Sequence, residues 1–139
     1  MPDGHGDMSK AALLNGEERE KSVLITDPSR PDNPIIYVSE AFEMQTGYSP
    51  EEVLGRNCRF LQGAETDPKA ALAIREALAA QTEITIDILN YRKDGTQFWN
   101  RLRIRPLFDD SRRLQYYIGA QNPILAKEVR SNPIEAVFD

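Results

Sequence analysis

The sequence predicts an α+β domain: one five-stranded antiparallel sheet with short helices on one face. Three observations predict it. The segments Glu83–Tyr91, Thr96–Phe108 and Leu114–Gln121 alternate apolar and polar side chains with the period of a strand. The turns between them, Lys93-Asp94-Gly95 and Asp109-Asp110-Ser111-Arg112, are short enough that neighbours must run antiparallel. Two shorter strands and several capped helices come first, so strands and helices are segregated along the chain.

Residues 1–21 read as an N-terminal extension outside the core. Met1 to Gly6 look disordered, and Asp7 to Lys21 carries a helical pattern broken at Asn15-Gly16. Within it, Met8, Ala11, Ala12 and Leu14 share a face, and Glu17 to Lys21 is a solvated charged run. The core spans 22–121. Ser22–Thr26 is a buried strand and Ile35–Val38 a second, joined as a hairpin by a loop with three prolines, Asp27 to Pro34. Ser39 caps a helix, Glu40 to Thr46, that Gly47 closes. Ser49-Pro50-Glu51-Glu52 is a capping box with proline at the first helical position, and Gly55 ends that helix. Asp67-Pro68 opens a longer helix, Lys69 to Ala80, with Ala71, Ile74 and Leu78 on one face and Arg75 at its border. The tail, 122–139, holds Pro123 and Pro133 and accommodates two short helices, around Leu125–Arg130 and Pro133–Phe138.

Composition narrows the function classes. A chain of 139 residues, 40% hydrophobic and 28% charged, fits one soluble globular domain. There is no apolar run long enough to span a membrane and no secretory signal pattern. The net charge of −5 disfavours nonspecific nucleic-acid binding and attraction to an acidic membrane surface. The single cysteine makes no internal disulfide, which fits a reducing cytoplasm.

That cysteine lies in Gly55-Arg56-Asn57-Cys58-Arg59-Phe60-Leu61-Gln62-Gly63. Thiol, amide, cation and aromatic groups crowded between two glycines suit the wall of a pocket for a flat, polar-edged, anionic ligand. Strand period gives a second signal. Phe98, Asn100, Leu102 and Ile104 share a face, as do Ile84, Ile86, Ile88 and Asn90, and Tyr117, Gly119 and Gln121 share one on the last strand. Three primary amides on an apolar sheet face need hydrogen-bond partners, and each offers a donor and an acceptor. Glycine at 119 leaves room for a ring close to the sheet. The opposite face carries Leu89, Tyr91, Trp99, Tyr116 and Ile118, and needs a cover from a terminus or from a second copy of the chain.

The motif from Gly55 to Gly63 resembles the signature of light-oxygen-voltage (LOV) domains, the flavin-binding blue-light sensors of the PAS family. Asp27–Pro34, Asn90–Gly95, Phe98–Asn100 and Gly119–Gln121 match further segments of that family in order. The resemblance runs from about Val23 to Gln121 and implies a PAS fold enclosing a flavin, usually FMN, with FAD and riboflavin as alternatives. It implies that Cys58 is the photoactive thiol, whose sulfur bonds reversibly to flavin carbon 4a after illumination while nitrogen 5 gains a proton. By the same resemblance Arg59 and Arg75 grip the phosphate, and Asn57 and Gln62 contact the flavin side chain. Asn90 and Asn100 read the pyrimidine edge. Gln121 lies near nitrogen 5 and relays the change. Thr26, Leu61, Leu102, Ile104 and Tyr117 match pocket-lining positions, and Gly119 lies among them. Leu102 and Tyr117 stand where phenylalanine is frequent, and Ala64 where proline is common; these departures bear on the lifetime of the light state.

The expected protein is thus a short stand-alone photoreceptor of the cytoplasm, homodimeric through its outer face and terminal helices, with its downstream partner unnamed by the sequence. A thiol enzyme is disfavoured because the one histidine, His5, is remote in sequence and a free cysteine is mostly protonated at neutral pH. One cysteine and one histidine make no metal ligand set. The alternative is a PAS module that binds another ligand or dimerises without photochemistry.

Overall fold

The computed structural model describes residues 5, 6 and 8–130. Strands β1 (Ser22–Thr26) and β2 (Ile35–Val38) form a hairpin, followed by helices α1 (Glu40–Thr46) and α2 (Pro50–Val53), a 3-10 turn at Cys58–Leu61 and helix α3 (Pro68–Ala80). Strands β3 (Ile84–Tyr91), β4 (Gln97–Phe108) and β5 (Leu114–Gln121) complete the sheet in the order β2-β1-β5-β4-β3. All neighbours are antiparallel. A two-residue strand, β6 (Pro123–Ile124), continues beyond β5 along the same edge of β4, opposite Trp99 and Asn100. The sequence assigns no element to 123–124 and leads one to expect a helix around Leu125–Arg130; proline at the strand edge donates no ladder bond and is tolerated. After β6 only a short 3-10 turn, Ala126–Glu128, forms. The expected helix at Pro133–Phe138 lies outside the described residues.

The caps explain the helix limits. The Ser39 hydroxyl accepts from the Phe42 N–H, and Gly47 ends α1 in the left-handed region at φ 80°. The Ser49 N–H donates to Glu52 at 2.9 Å in the capping box of α2. Asp67 caps α3 through the Lys69 N–H at 2.9 Å.

The inner face of the sheet carries two apolar clusters. One joins Ala70, Ala73 and Ile74 of α3 to Ile86, Ile88, Ile104 and Tyr117. The other joins Leu24, Ile35 and Val38 to Phe42, Val53 and Leu61. The gap between them is the site described below.

The outer face corrects the reading of the N-terminal extension. Residues 8–13 form a 3-10 helix rather than an α-helix, and Leu14 is buried against Val23, Ile25, Tyr37, Ile118 and Ala120. That cover explains why β1 is apolar on both faces. His5 and Gly6 are placed too: the Val38 N–H donates to the His5 carbonyl, and Gly6 pairs with Tyr37. Glu18 belongs to no solvated run. It is buried, receives two hydrogen bonds from Arg105 of β4 at 2.7 and 2.8 Å, and exchanges reciprocal bonds with Asn15 at 2.8 and 2.9 Å. Local sequence could not reveal this, because Arg105 is 87 residues away.

Candidate functional site

The motif around Cys58 folds tightly because its own side chains bond its backbone. Gly55 takes φ 87°, open to glycine at little cost. Asn57 then caps the Cys58–Leu61 turn, its Oδ1 accepting the Arg59 N–H at 2.9 Å. Its Nδ2 donates to the Asp32 carbonyl at 2.8 Å, so the Asn57 amide ties the turn to the β1–β2 loop. Arg59 reaches the same loop with a two-pronged contact to the Asp32 carboxylate, at 2.9 and 2.6 Å. The Arg59 guanidinium holds the Asp32 carboxyl below its ordinary range. At the far end of the motif, Gly63 lies against Tyr91: a Cβ there would sit 2.4 Å from the ring.

The turn presents Cys58 to a cleft, partly open to solvent, between the motif, α3 and the inner face of the sheet. Thr26, Leu61, Leu102, Ile104 and Tyr117 line it, together with Asn90, Gly119 and Gln121 at the sheet and Asn57, Arg59 and Gln62 nearer the motif. Leu24, Asn33, Ile74, Leu78 and Ile88 line it as well. Of these, Ile74, Leu78 and Ile88 had a visible signal in the apolar periods of α3 and β3. Leu24 and Asn33 were missed; Leu24 alternates with Val23 and Ile25, and only the sheet decides which face is which.

Two expected residues stand apart from this cleft. Arg75 is exposed on α3 and lines an adjoining outer groove, which it shares with Arg30 and Arg59. Asn100 is fully buried behind the cleft wall. Its Nδ2 donates to Asn90 Oδ1 at 3.0 Å and Gln121 Oε1 at 2.6 Å, while its Oδ1 accepts the Asn122 N–H at 2.9 Å. The three sequence-predicted amides therefore form one network, with Asn100 at its centre.

Burial pushes the Cys58 thiol above its ordinary pKa, with smaller opposing effects from a backbone hydrogen bond and the Arg59 charge. Cys58 is a protonated thiol at neutral pH, poorly suited to ground-state nucleophilic catalysis. Among the described residues no cluster of three metal-ligating side chains occurs, and no helix is long and apolar enough to cross a membrane.

The chemistry of the cleft fits a flat heteroaromatic group with an anionic tail. Thr26 Oγ1 is buried without a hydrogen-bond partner and lines the cleft, so it offers an unused polar contact. At Gly119 a Cβ would approach Leu24 Cδ1 at 3.4 Å and Gln121 Nε2 at 3.7 Å, narrowing the cleft against the sheet. Arginines stand at the outer end and amides at the inner end.

A family model described as a PAS domain matches residues 20–123. A solved light-oxygen-voltage domain, from a study of a flavin analogue, superposes with a TM-score of 0.81 at 43% identity, covering 95% of this chain and 93% of that one.

The chain is a LOV domain of the PAS family.

Its relatives are consistent. The dark structure of the Aureochrome1 LOV photoreceptor superposes on this LOV domain with a TM-score of 0.81 at 38% identity, covering 99% of this chain and 97% of that one. A blue-light-activated histidine kinase of Brucella ovis is 52% identical over 124 residues, 87% of this chain and 25% of the kinase. Phototropin-2 of rice, Oryza sativa subsp. japonica, is 52% identical over 105 residues, 76% of this chain and 12% of phototropin. The LOV domain thus spans at most a quarter of either relative's length.

Proposed function

We propose that this LOV domain senses blue light through a bound flavin, usually FMN in the family with FAD and riboflavin as alternatives; the arginines at the outer end of the cleft favour a phosphate-bearing flavin over riboflavin. The observation that carries the reading is the placement of Cys58. The one cysteine of the chain lines the same cleft as Asn90, Gly119 and Gln121, which are 32 or more residues away in sequence. A flavin bound there would supply the blue-light absorption and an excited ring whose carbon 4a the Cys58 sulfur can attack reversibly.

The chain's own groups prepare that step. Burial keeps Cys58 protonated, so it carries both the sulfur and the proton. Thr26, Leu61, Leu102, Ile104 and Tyr117 keep water from the ring, and Asn90 and Gln121 turn amides toward its polar edge. Asn100 fixes the orientation of both. Arg59 and Arg75 would hold the phosphate; a guanidinium fork suits that task better than a lysine.

Gln121 ends β5, beside the junction with β6, so a change in its amide reaches the terminal segments without crossing the core. The output would be a change in self-association or in a partner's binding. Dimerisation would use the outer face and the terminal segments, where Met8 and Leu125 remain exposed.

An absorption spectrum of the purified protein, before and after blue light and then in the dark, tests this reading. A structured flavin band that bleaches and returns supports it. A protein that takes up no flavin on addition of FMN would be a PAS module that binds another ligand or only dimerises.

A further inference from the structure

Asn122 is the one residue between β5 and β6, and it joins segments from both ends of the chain. Its Oδ1 accepts from Lys21 Nζ, where the N-terminal segment ends, at 2.8 Å. Lys21 is held in place by Glu17, at 3.0 Å. The Asn122 Nδ2 donates to the Arg101 carbonyl at 3.0 Å, and the Asn122 carbonyl accepts the Arg101 N–H at 2.7 Å.

Arg101 carries the connection onward. Its guanidinium makes a two-pronged contact with the Asp87 carboxylate, at 2.8 and 3.0 Å, and donates to the Glu128 carbonyl at 2.9 Å. Asp87 in turn accepts the Arg130 N–H at 2.7 Å. The Asp87 side chain is only 2% exposed, which a carboxylate tolerates because Arg101 and that N–H satisfy it. This clasp fastens the far end of a strap, residues 123–130, as β6 fastens the near end against β4. Apolar packing adds little: Leu125 is 60% exposed and 126–128 are exposed as well. A segment with so little buried apolar surface opens readily once its polar ties are lost.

We propose that the N-terminal segment and the C-terminal strap dock as one unit, coupled through Asn122. Lys21 fixes the Asn122 side chain, which fixes its pairing with the Arg101 backbone, and the Arg101 guanidinium closes the clasp on the strap. Release on either side frees the Asn122 amide and weakens the other. By linkage the coupling is equal in both directions. None of these residues lines the cleft, so the coupling operates with or without a bound ligand.

Hydrogen exchange of the full chain, kept in the dark and read by mass spectrometry, tests the coupling. Lys21→Met removes the cation and keeps the stem; it should speed exchange in 123–130 by about fivefold. Asp87→Asn loosens the clasp and should speed exchange in 15–21 by a similar factor. In Asn122→Ala, which keeps the backbone bonds and removes the amide, neither substitution should move the remote segment further. Exchange in α3 should stay unchanged throughout. Changes confined to the substituted side, or remote effects that survive in Asn122→Ala, overturn the proposal. Equal acceleration in α3 overturns it too, since global destabilisation then accounts for the effect. Should Asp87→Asn fail to fold, Arg130→Pro takes its place: it removes the N–H that Asp87 accepts and leaves the Asp87–Arg101 pair.

Discussion

Asn100 donates a 2.6 Å hydrogen bond to Gln121 Oε1 across the buried face of the sheet, and its own oxygen is held by the Asn122 N–H at 2.9 Å. Because a backbone N–H fixes the Asn100 oxygen, its Nδ2 must face Asn90 and Gln121. The Gln121 oxygen is thereby turned toward Asn100, and its Nε2 lies 3.5 Å from the Gly119 carbonyl at the cleft wall. Gln121→Leu should retain flavin but lose this coupling. It leaves an Asn100 hydrogen without its acceptor, so stability should fall by roughly 1–3 kcal/mol in denaturant unfolding. The light-induced change in molecular size or shape should be blunted, as scattering before and after illumination would show; an unchanged response would refute Gln121 as the relay.

Cys58→Ala removes a thiol from the cleft wall without touching the amide or arginine contacts. The variant should carry flavin with the same dark spectrum and show no reversible bleaching under blue light. Bleaching with dark recovery like that of the unaltered protein would remove Cys58 from the mechanism.

The two glycines that bound the motif act for different reasons, and alanine separates them. Gly55 has open space around the position of a Cβ and a φ of 87°, so Gly55→Ala costs only backbone strain, on the order of 1 kcal/mol. At Gly63 the Cβ would meet the Tyr91 ring, whose hydroxyl accepts the Glu65 N–H at 2.9 Å. Gly63→Ala must displace that ring and should cost about 1–3 kcal/mol, with the larger fall in melting temperature of the two. Equal shifts would show that Tyr91 yields freely.

The N-terminal segment is fastened to the sheet by Glu18 and Arg105. Burial by itself would raise the Glu18 pKa, but the hydrogen bonds from Arg105 and the Asn15 N–H, with the Arg105 charge, together bring it below the ordinary carboxylate value. A lowered folded pKa means the stabilisation is complete above the unfolded value of about 4.3 and is lost as pH falls through the folded one. Glu18→Gln leaves Arg105 without its counter-charge and should destabilise by roughly 1–3 kcal/mol at pH 7. The gap between variant and parent should begin to narrow below the unfolded carboxylate value and close as the pH falls through the lower folded one. A gap that does not change with pH would mean packing, not charge, holds the segment.

Since the N-terminal segment already covers β1, β2 and β5 on the outer face, dimerisation has to use what remains exposed around it. Light scattering at micromolar concentration should give the mass of a dimer. A monomer in both dark and light would end the dimer proposal.

Much was legible in the sequence because the relevant physics is local. Alternation placed Asn90, Asn100 and Gln121 on the inner face before any fold was known, and serine, aspartate, proline and glycine marked the ends of α1, α2 and α3 within a residue or so. The motif around Cys58 was recognisable because its capping asparagine, thiol and arginine are neighbours in the chain. Tertiary structure alone decided which distant residues share a wall. It buried Glu18 against Arg105, drew Leu14 into the core, and set Asn100 behind the cleft as a bridge between two amides. Those outcomes depend on packing between segments far apart in sequence. No periodicity or cap encodes which side chain will meet which across such a distance, because the choice is made only when the apolar faces close on one another.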